Sequence, residues 1–172
     1  MKKTLLLIII LLGCSIKKRS SIPIDQLEIR NCIIDSLHLF LEDSIFVTSR
    51  TDFFGNPLQR SSNSNDWIVG NATIEELKRM TESNNAYIKA IGIEGLFKRK
   101  DKDWFKNLKP LLGDTAEYVT CREGCLQNDY RLPEYCLLEL VRYEYMDGIV
   151  SQEQKEEINR LITGYNLNVI PK

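Results

Sequence analysis

The sequence has a single histidine, His38, and no surplus of either charge, with 23 Lys and Arg against 24 Asp and Glu in 172 residues. Scarcity of imidazole removes most metal centres and Ser-His-Asp arrangements that depend on it. Balanced charge argues against a nucleic-acid binder, which needs a basic surplus to meet the phosphate backbone. Also missing are a Gly-x-Ser-x-Gly elbow, a phosphate loop ending in Gly-Lys-Ser/Thr and a His-Glu-x-x-His helix, so the commoner enzyme signatures are absent. Asp101-Lys102-Asp103 opens like a calcium loop, but Lys106 stands where the tight turn demands glycine and Leu112 where a closing Glu belongs. No metal or cofactor is expected. What is present, 43% hydrophobic and 27% charged residues, is the composition of one globular domain.

The first residues carry an address. Lys2 and Lys3 precede an apolar run, Leu5 to Leu12, whose eight residues fall far short of the ~20 needed to span a bilayer. The run ends in Leu11-Leu12-Gly13-Cys14, which resembles the lipobox of bacterial lipoproteins. That resemblance implies removal of residues 1–13 as a signal peptide and acylation of Cys14 by palmitate-type chains, chemistry that needs a nucleophilic thiolate. Two or three chains anchor stably where one binds reversibly. Residues 14–22, with Lys17, Lys18 and Arg19 among serines, form the expected lipidated tether, and residues 23–172 a single domain. Ser15 after the cysteine is of the kind that, in enteric bacteria, does not retain a lipoprotein in the inner membrane. The implied location is the cell envelope, at the outer membrane facing the periplasm.

Within the domain, helical signals dominate. Leu27, Ile33, Ile34, Leu37, Phe40 and Leu41 recur near a 3.6-residue period and predict a helix from about Pro23 to Leu41. A less regular stretch from Ser44 to Gly70 follows, with a candidate strand near residues 45–48, a turn at Phe54-Gly55-Asn56-Pro57 and a polar loop from Ser61 to Asp66; an irregular segment of that length is either functional or packs over the core through Phe53, Phe54 and Trp67. Thr73-Ile74-Glu75-Glu76 and Ser151-Gln152-Glu153-Gln154 are capping boxes, the second opening a helix that stops at Gly164. Ile88, Ile91, Gly92, Gly95 and Leu96 form one helical stripe, Asp101 caps a helix bearing Trp104, Phe105 and Leu108, and Pro133 starts a further segment that is most simply helical, with a strand as the alternative because Val141, Tyr143 and Tyr145 alternate.

Shifting by 31 residues overlays Ile74 on Phe105, Leu77 on Leu108, Met80 on Leu111 and Ile88 on Val119. Leu108-Lys109-Pro110-Leu111-Leu112-Gly113-Asp114 with Val119, and Ile88-Lys89-Ala90 through Gly95-Leu96, resemble the two helices of a HEAT-like repeat, over about Thr73 to Leu126. The resemblance implies an all-α fold: a short array of HEAT-like helical hairpins with flanking helices, in which Gly92 and Gly95 let one helix pack closely on another. Cys121 to Cys125 depart from the pattern, where small apolar residues are expected.

Few residues point to chemistry. Glu94, between Gly92 and Gly95, reads as solvent-facing, with a buried carboxylate as the alternative. Cys32, Cys121, Cys125 and Cys136 are candidate disulfide partners in an exported protein, with buried free thiols as the competitor. Lys98, Arg99, Lys102 and Lys106 make a basic cluster that is a candidate binding surface, opposed to an acidic stretch from Asp114 to Glu157. The functional expectation is a membrane-anchored, non-catalytic module that binds an envelope protein or peptide and no nucleic acid. The alternative is a periplasmic hydrolase of envelope material working through carboxylates.

Overall fold

The computed structural model describes residues 22–47, 61–123, 126–142 and 150–168; Cys14 and the rest of the lipobox, Phe53, Phe54 and Cys125 lie outside the described residues. After a 3-10 turn at Ile24–Gln26, helix α1 (Asn31–Asp43) buries Ile33, Leu37 and Phe40 at the i, i+4, i+7 spacing of one helix face. Ser44, in the left-handed conformation at φ 48°, ends it and turns the chain into strand β1 (Ile45–Val47). Helices α2 (Ser61–Asn71) and α3 (Ile74–Met80) follow, α3 opening with the complete Thr73/Glu76 capping box.

Helix α4 (Ala86–Lys98) is the centre of the molecule. Asn85 caps it by accepting from the amides of Tyr87 and Ile88, and every residue from Ile88 to Phe97 is buried. A helix apolar on nearly all sides must be surrounded, and α4 is packed by α2, α3, α5 (Trp104–Leu108) and α6 (Leu132–Arg142). Between α5 and α6 run a 3-10 turn (Lys109–Gly113) and strands β2 (Tyr118–Glu123) and β3 (Leu126–Arg131); α7 (Gln152–Gly164) closes the chain, opened by the Ser151/Gln154 capping box.

The strands form a sheet in the order β1-β2-β3, with β1 parallel to β2 and β2 antiparallel to β3. Val119 and Cys121 of β2 turn inward and are buried, whereas Tyr118 on the opposite face is exposed. Phe46, paired with Cys121 across β1 and β2, stacks on Tyr135 of α6 at 4.5 Å between ring centroids and meets Tyr87 of α4 at 5.5 Å. This aromatic contact joins the sheet to the helical layer.

The fold is therefore mixed α/β and not an all-α array of HEAT-like repeats. One helical hairpin of the expected pair exists: α3 and α4 are antiparallel neighbours joined by a short turn, with Gly92 and Gly95 at their contact. The second repeat does not. Its first helix is the short α5 with a 3-10 extension, and its second is replaced by β2, where Val119 belongs to a strand. Alternation of inward Val119 and Cys121 with outward Tyr118 and Thr120 is a period of two, and pairing with β1 from a distant part of the chain selects it.

Smaller differences have similar causes. The helix expected from Pro23 starts only at Asn31, because the stretch before it makes local 3-10 bonds, Gln26 to Pro23 and Leu27 to Ile24. Ser61 to Asp66 lies in helix α2 and not in a loop; burial of Asn65, Ile68 and Val69 against the core overrides the weak helix preference of Ser and Asn. Trp67 on the same helix does not cover the core and is 43% exposed. The N-cap before α5 is Asp103, and the Asp101 carboxylate instead accepts from the Asp103 amide.

Candidate functional site

Helices α4 and α6 leave between them a small cleft of about 10 Å³, walled by Ala90, Ile93, Glu94 and Phe97 on one side and Tyr135, Cys136, Glu139 and Leu140 on the other, and its exposed lining is apolar. That volume matches about one water molecule. Glu94 is 7% exposed, so the solvent-facing placement expected from the sequence is incorrect. The carboxylate is held from two directions: Asn65 Nδ2 of α2 donates to Oε2 at 2.9 Å, and Lys98 Nζ, one turn further along α4, lies 2.5 Å from Oε1. Lys98 also reaches Asp66 at 3.4 Å. Charge compensation of this kind is what permits a carboxylate inside a helical layer.

Two groups beside the cleft, the Cys136 thiol and the Tyr135 phenol, are held in their neutral forms. Burial pushes the Cys136 thiol up, and the nearby Glu139 and Glu94 carboxylates push in the same direction. Tyr135 is raised well above its ordinary range by burial first and then by the same two carboxylates. A thiol kept protonated is not a nucleophile. The cleft therefore has the residue types of a catalytic site without their activation, and too little space for a glycan or peptide.

The candidate basic cluster is divided by the structure. Lys98 is engaged with Glu94 and Asp66, and the Arg99 guanidinium donates to Ala72 O at 3.1 Å, fastening the end of α4 to the α2–α3 turn. Lys102 and Lys106 are exposed beside them. Lys109 reaches Glu157 of α7 at 2.8 Å, so the basic and acidic stretches meet each other at this point. Among the cysteines, Cys32 is a free thiol exposed on α1 and Cys136 a free thiol buried on α6. Cys121 is buried on strand β2. No group of three or more His, Cys, Asp or Glu among the described residues is arranged to hold a metal ion.

Two features had no separate signal in the sequence. Lys89, 7% exposed on α4, bonds Asp114 and Glu117 at 2.8 Å each and so ties the central helix to the segment entering β2. Asn65 leaves its Oδ1 buried without a hydrogen-bond partner while its amide group holds Glu94. Both are polar residues in segments whose neighbours come from elsewhere in the chain, and neither local pattern nor spacing reports such partners. Among the described residues no helix is long and apolar enough to cross a membrane. No known protein family, curated protein or solved structure matches this chain.

Proposed function

We propose that the chain is a lipid-anchored protein of the bacterial cell envelope, held at the outer membrane through Cys14, whose domain serves as a non-catalytic protein- or peptide-binding module. The observation that carries the anchor is Leu11-Leu12-Gly13-Cys14 behind a short apolar core and two lysines. The domain begins close behind it. Ile22 is strapped to the α3–α4 turn by Ile22 N to Glu82 O and Asn84 N to Ile22 O, at 3.2 and 2.8 Å, so the expected tether leads directly into a fixed point of the fold.

The non-catalytic half of the proposal is supported by the Glu94 cleft. Its carboxylate is committed to Asn65 and Lys98, its thiol and phenol are held neutral, and its volume fits about one water. Radiolabelled palmitate fed to cells is expected to enter the wild-type chain and not Cys14→Ser; equal labelling of both overturns the anchor. Incubation of the full chain with peptidoglycan or envelope glycan is expected to release no product. Turnover that disappears in Glu94→Gln would establish the hydrolase instead.

A further inference from the structure

Strand β3 closes one side of the sheet, and no described element pairs with its outer edge. Leu126 to Asp129 are all exposed, and Leu126, on the core-facing side of the sheet but beyond the helices, is 65% exposed. Folded proteins usually guard such an edge with lysine, proline, a bulge or a covering segment. Leu126-Gln127-Asn128-Asp129-Tyr130-Arg131 has no proline or lysine, and its six residues pair with β2 in unbroken register.

The ladder determines which backbone groups face outward. The Leu132 amide donates to Glu117 O at 2.8 Å, and because hydrogen-bonded and non-bonded pairs alternate in an antiparallel ladder, Tyr130 and Asn128 exchange bonds with β2. Gln127, Asp129 and Arg131 therefore present their N–H and C=O groups to the open edge. Arg131 is already used, its amide donating to the Glu134 carboxylate at 3.2 Å. Gln127 and Asp129 remain.

We propose that this edge is a self-association surface: two copies of the chain pair their β3 strands antiparallel about a two-fold axis through Asn128, joining their sheets into one. Gln127 of each copy then exchanges backbone bonds with Asp129 of the other. The side chains complement each other in the same register. Thr120 Oγ1 already donates to Asp129 Oδ1 at 2.7 Å, leaving Oδ2 as an acceptor, and Arg122 donates to Gln127 Oε1 at 3.4 Å, leaving the Gln127 amide hydrogens as donors. Each Gln127 can thus donate to Asp129 of the second copy. On the other face Leu126 meets the half-buried Tyr130 of the second copy. Moving the axis to Asp129 would oppose two carboxylates and require the committed Arg131 amide, which disfavours that register.

Cysteine crosslinking of the full-length chain in detergent micelles tests this, in a Cys32→Ser, Cys125→Ser background. Asn128→Cys places its thiol opposite its twin in a non-hydrogen-bonded pair, with Cα atoms about 4.5 Å apart and within reach of a disulfide. Gln127→Cys, whose twin is two residues out of register, is the control for random collision. Oxidation is expected to convert Asn128→Cys to a covalent dimer at least ~10-fold faster than Gln127→Cys, since about 7 Å between Cα atoms is the bridging limit. Adding Gln127→Asp, which sets two carboxylates against each other, should slow dimer formation about five-fold, and Gln127→Lys should speed it by a similar factor. The gain with lysine cannot come from misfolding. Equal rates for the two cysteine variants, absence of dimer, or the same direction of change for Asp and Lys would overturn the proposal.

Discussion

Gly92 of α4 lies so close to Leu77 of α3 that a Cβ added to it would sit 2.7 Å from the Leu77 carbonyl oxygen, and the same atom on Gly95 would sit 2.5 Å from Leu77 Cδ2. Both distances are below ordinary contact, but the obstacles differ. At Gly92 it is backbone, which cannot step aside without moving α3; at Gly95 it is the end of a side chain.

Gly92→Ala is therefore expected to destabilise the protein despite the gain of up to about 1 kcal/mol that alanine brings to a helix interior. Overpacking costs about 1 to 3 kcal/mol, and the fixed carbonyl places Gly92 toward the upper end. Gly95→Ala should cost less than Gly92→Ala, and Gly95→Leu more than Gly95→Ala, because Leu77 is itself wholly buried and has limited room to turn. Thermal melts of the four proteins check the order. A rise in melting temperature for Gly92→Ala would show that the two helices are not held at this separation.

Acid sensitivity should be traceable to Glu76. The Arg30 guanidinium donates to its carboxylate at 2.8 Å through both Nε and Nη2, and the backbone amides of Arg30 and Thr73 add bonds at 3.0 and 2.7 Å. The Arg30 hydrogen bond, with these amides, holds the carboxyl at about 2 instead of its ordinary 4.5. Because the folded-state value is depressed, the stabilisation is complete above 4.5 and is lost as pH falls toward 2. Urea midpoints measured between neutral pH and pH 2 should decline steeply in the wild type. Glu76→Gln should start lower, by about 1 to 3 kcal/mol for a charged hydrogen-bond network, and decline less over that window. Parallel pH profiles would contradict the assignment.

Thiol labelling should separate two cysteines by burial. Cys32 is exposed on α1, whereas the Cys136 thiol is buried and kept protonated. Reaction of the native protein with an aromatic disulfide reagent at neutral pH is expected to lose one fast equivalent in Cys32→Ser and none in Cys136→Ser. In denaturant, both variants should lose one. Fast native labelling that disappears in Cys136→Ser would place that residue at the surface.

Lys89→Met should destabilise although it adds apolar volume at a buried site. Removing the ammonium leaves Asp114 and Glu117 facing each other without the cation that bridges them, and the Glu117 oxygen that Lys89 does not bond, Oε2, is already buried with no hydrogen-bond partner. Both carboxylates retain partial exposure, so the cost is expected at about 1 to 3 kcal/mol, below that of breaking a fully buried pair. Adding Asp114→Asn and Glu117→Gln should recover part of it, read as a non-additive urea midpoint in the multiple variant. Strict additivity would show that the three groups act independently.

Much of the helical framework was legible in the sequence, because its signals are local. Thr73/Glu76 and Ser151/Gln154 are capping boxes three residues apart in the chain, and they cap α3 and α7 in the structure. The spacing of Ile33, Leu37 and Phe40 marked the buried face of α1, and Gly92 with Gly95 marked where two helices approach. The sheet was not legible in that way. β1 is only Ile45–Val47, and it becomes a strand by pairing in parallel with Thr120 to Arg122, about 75 residues away, a partner no local pattern announces. That pairing turned Val119 from an expected helix into β2, and the burial of Ile68 turned an expected polar loop into α2. The burial of Glu94 depended likewise on Asn65, supplied by another helix, together with Lys98 one turn away. Caps and helical stripes are decided by residues within a turn of one another and survive in the sequence as spacing. Strand pairing and the environment of a buried charge are decided by residues brought together only when the whole chain has packed.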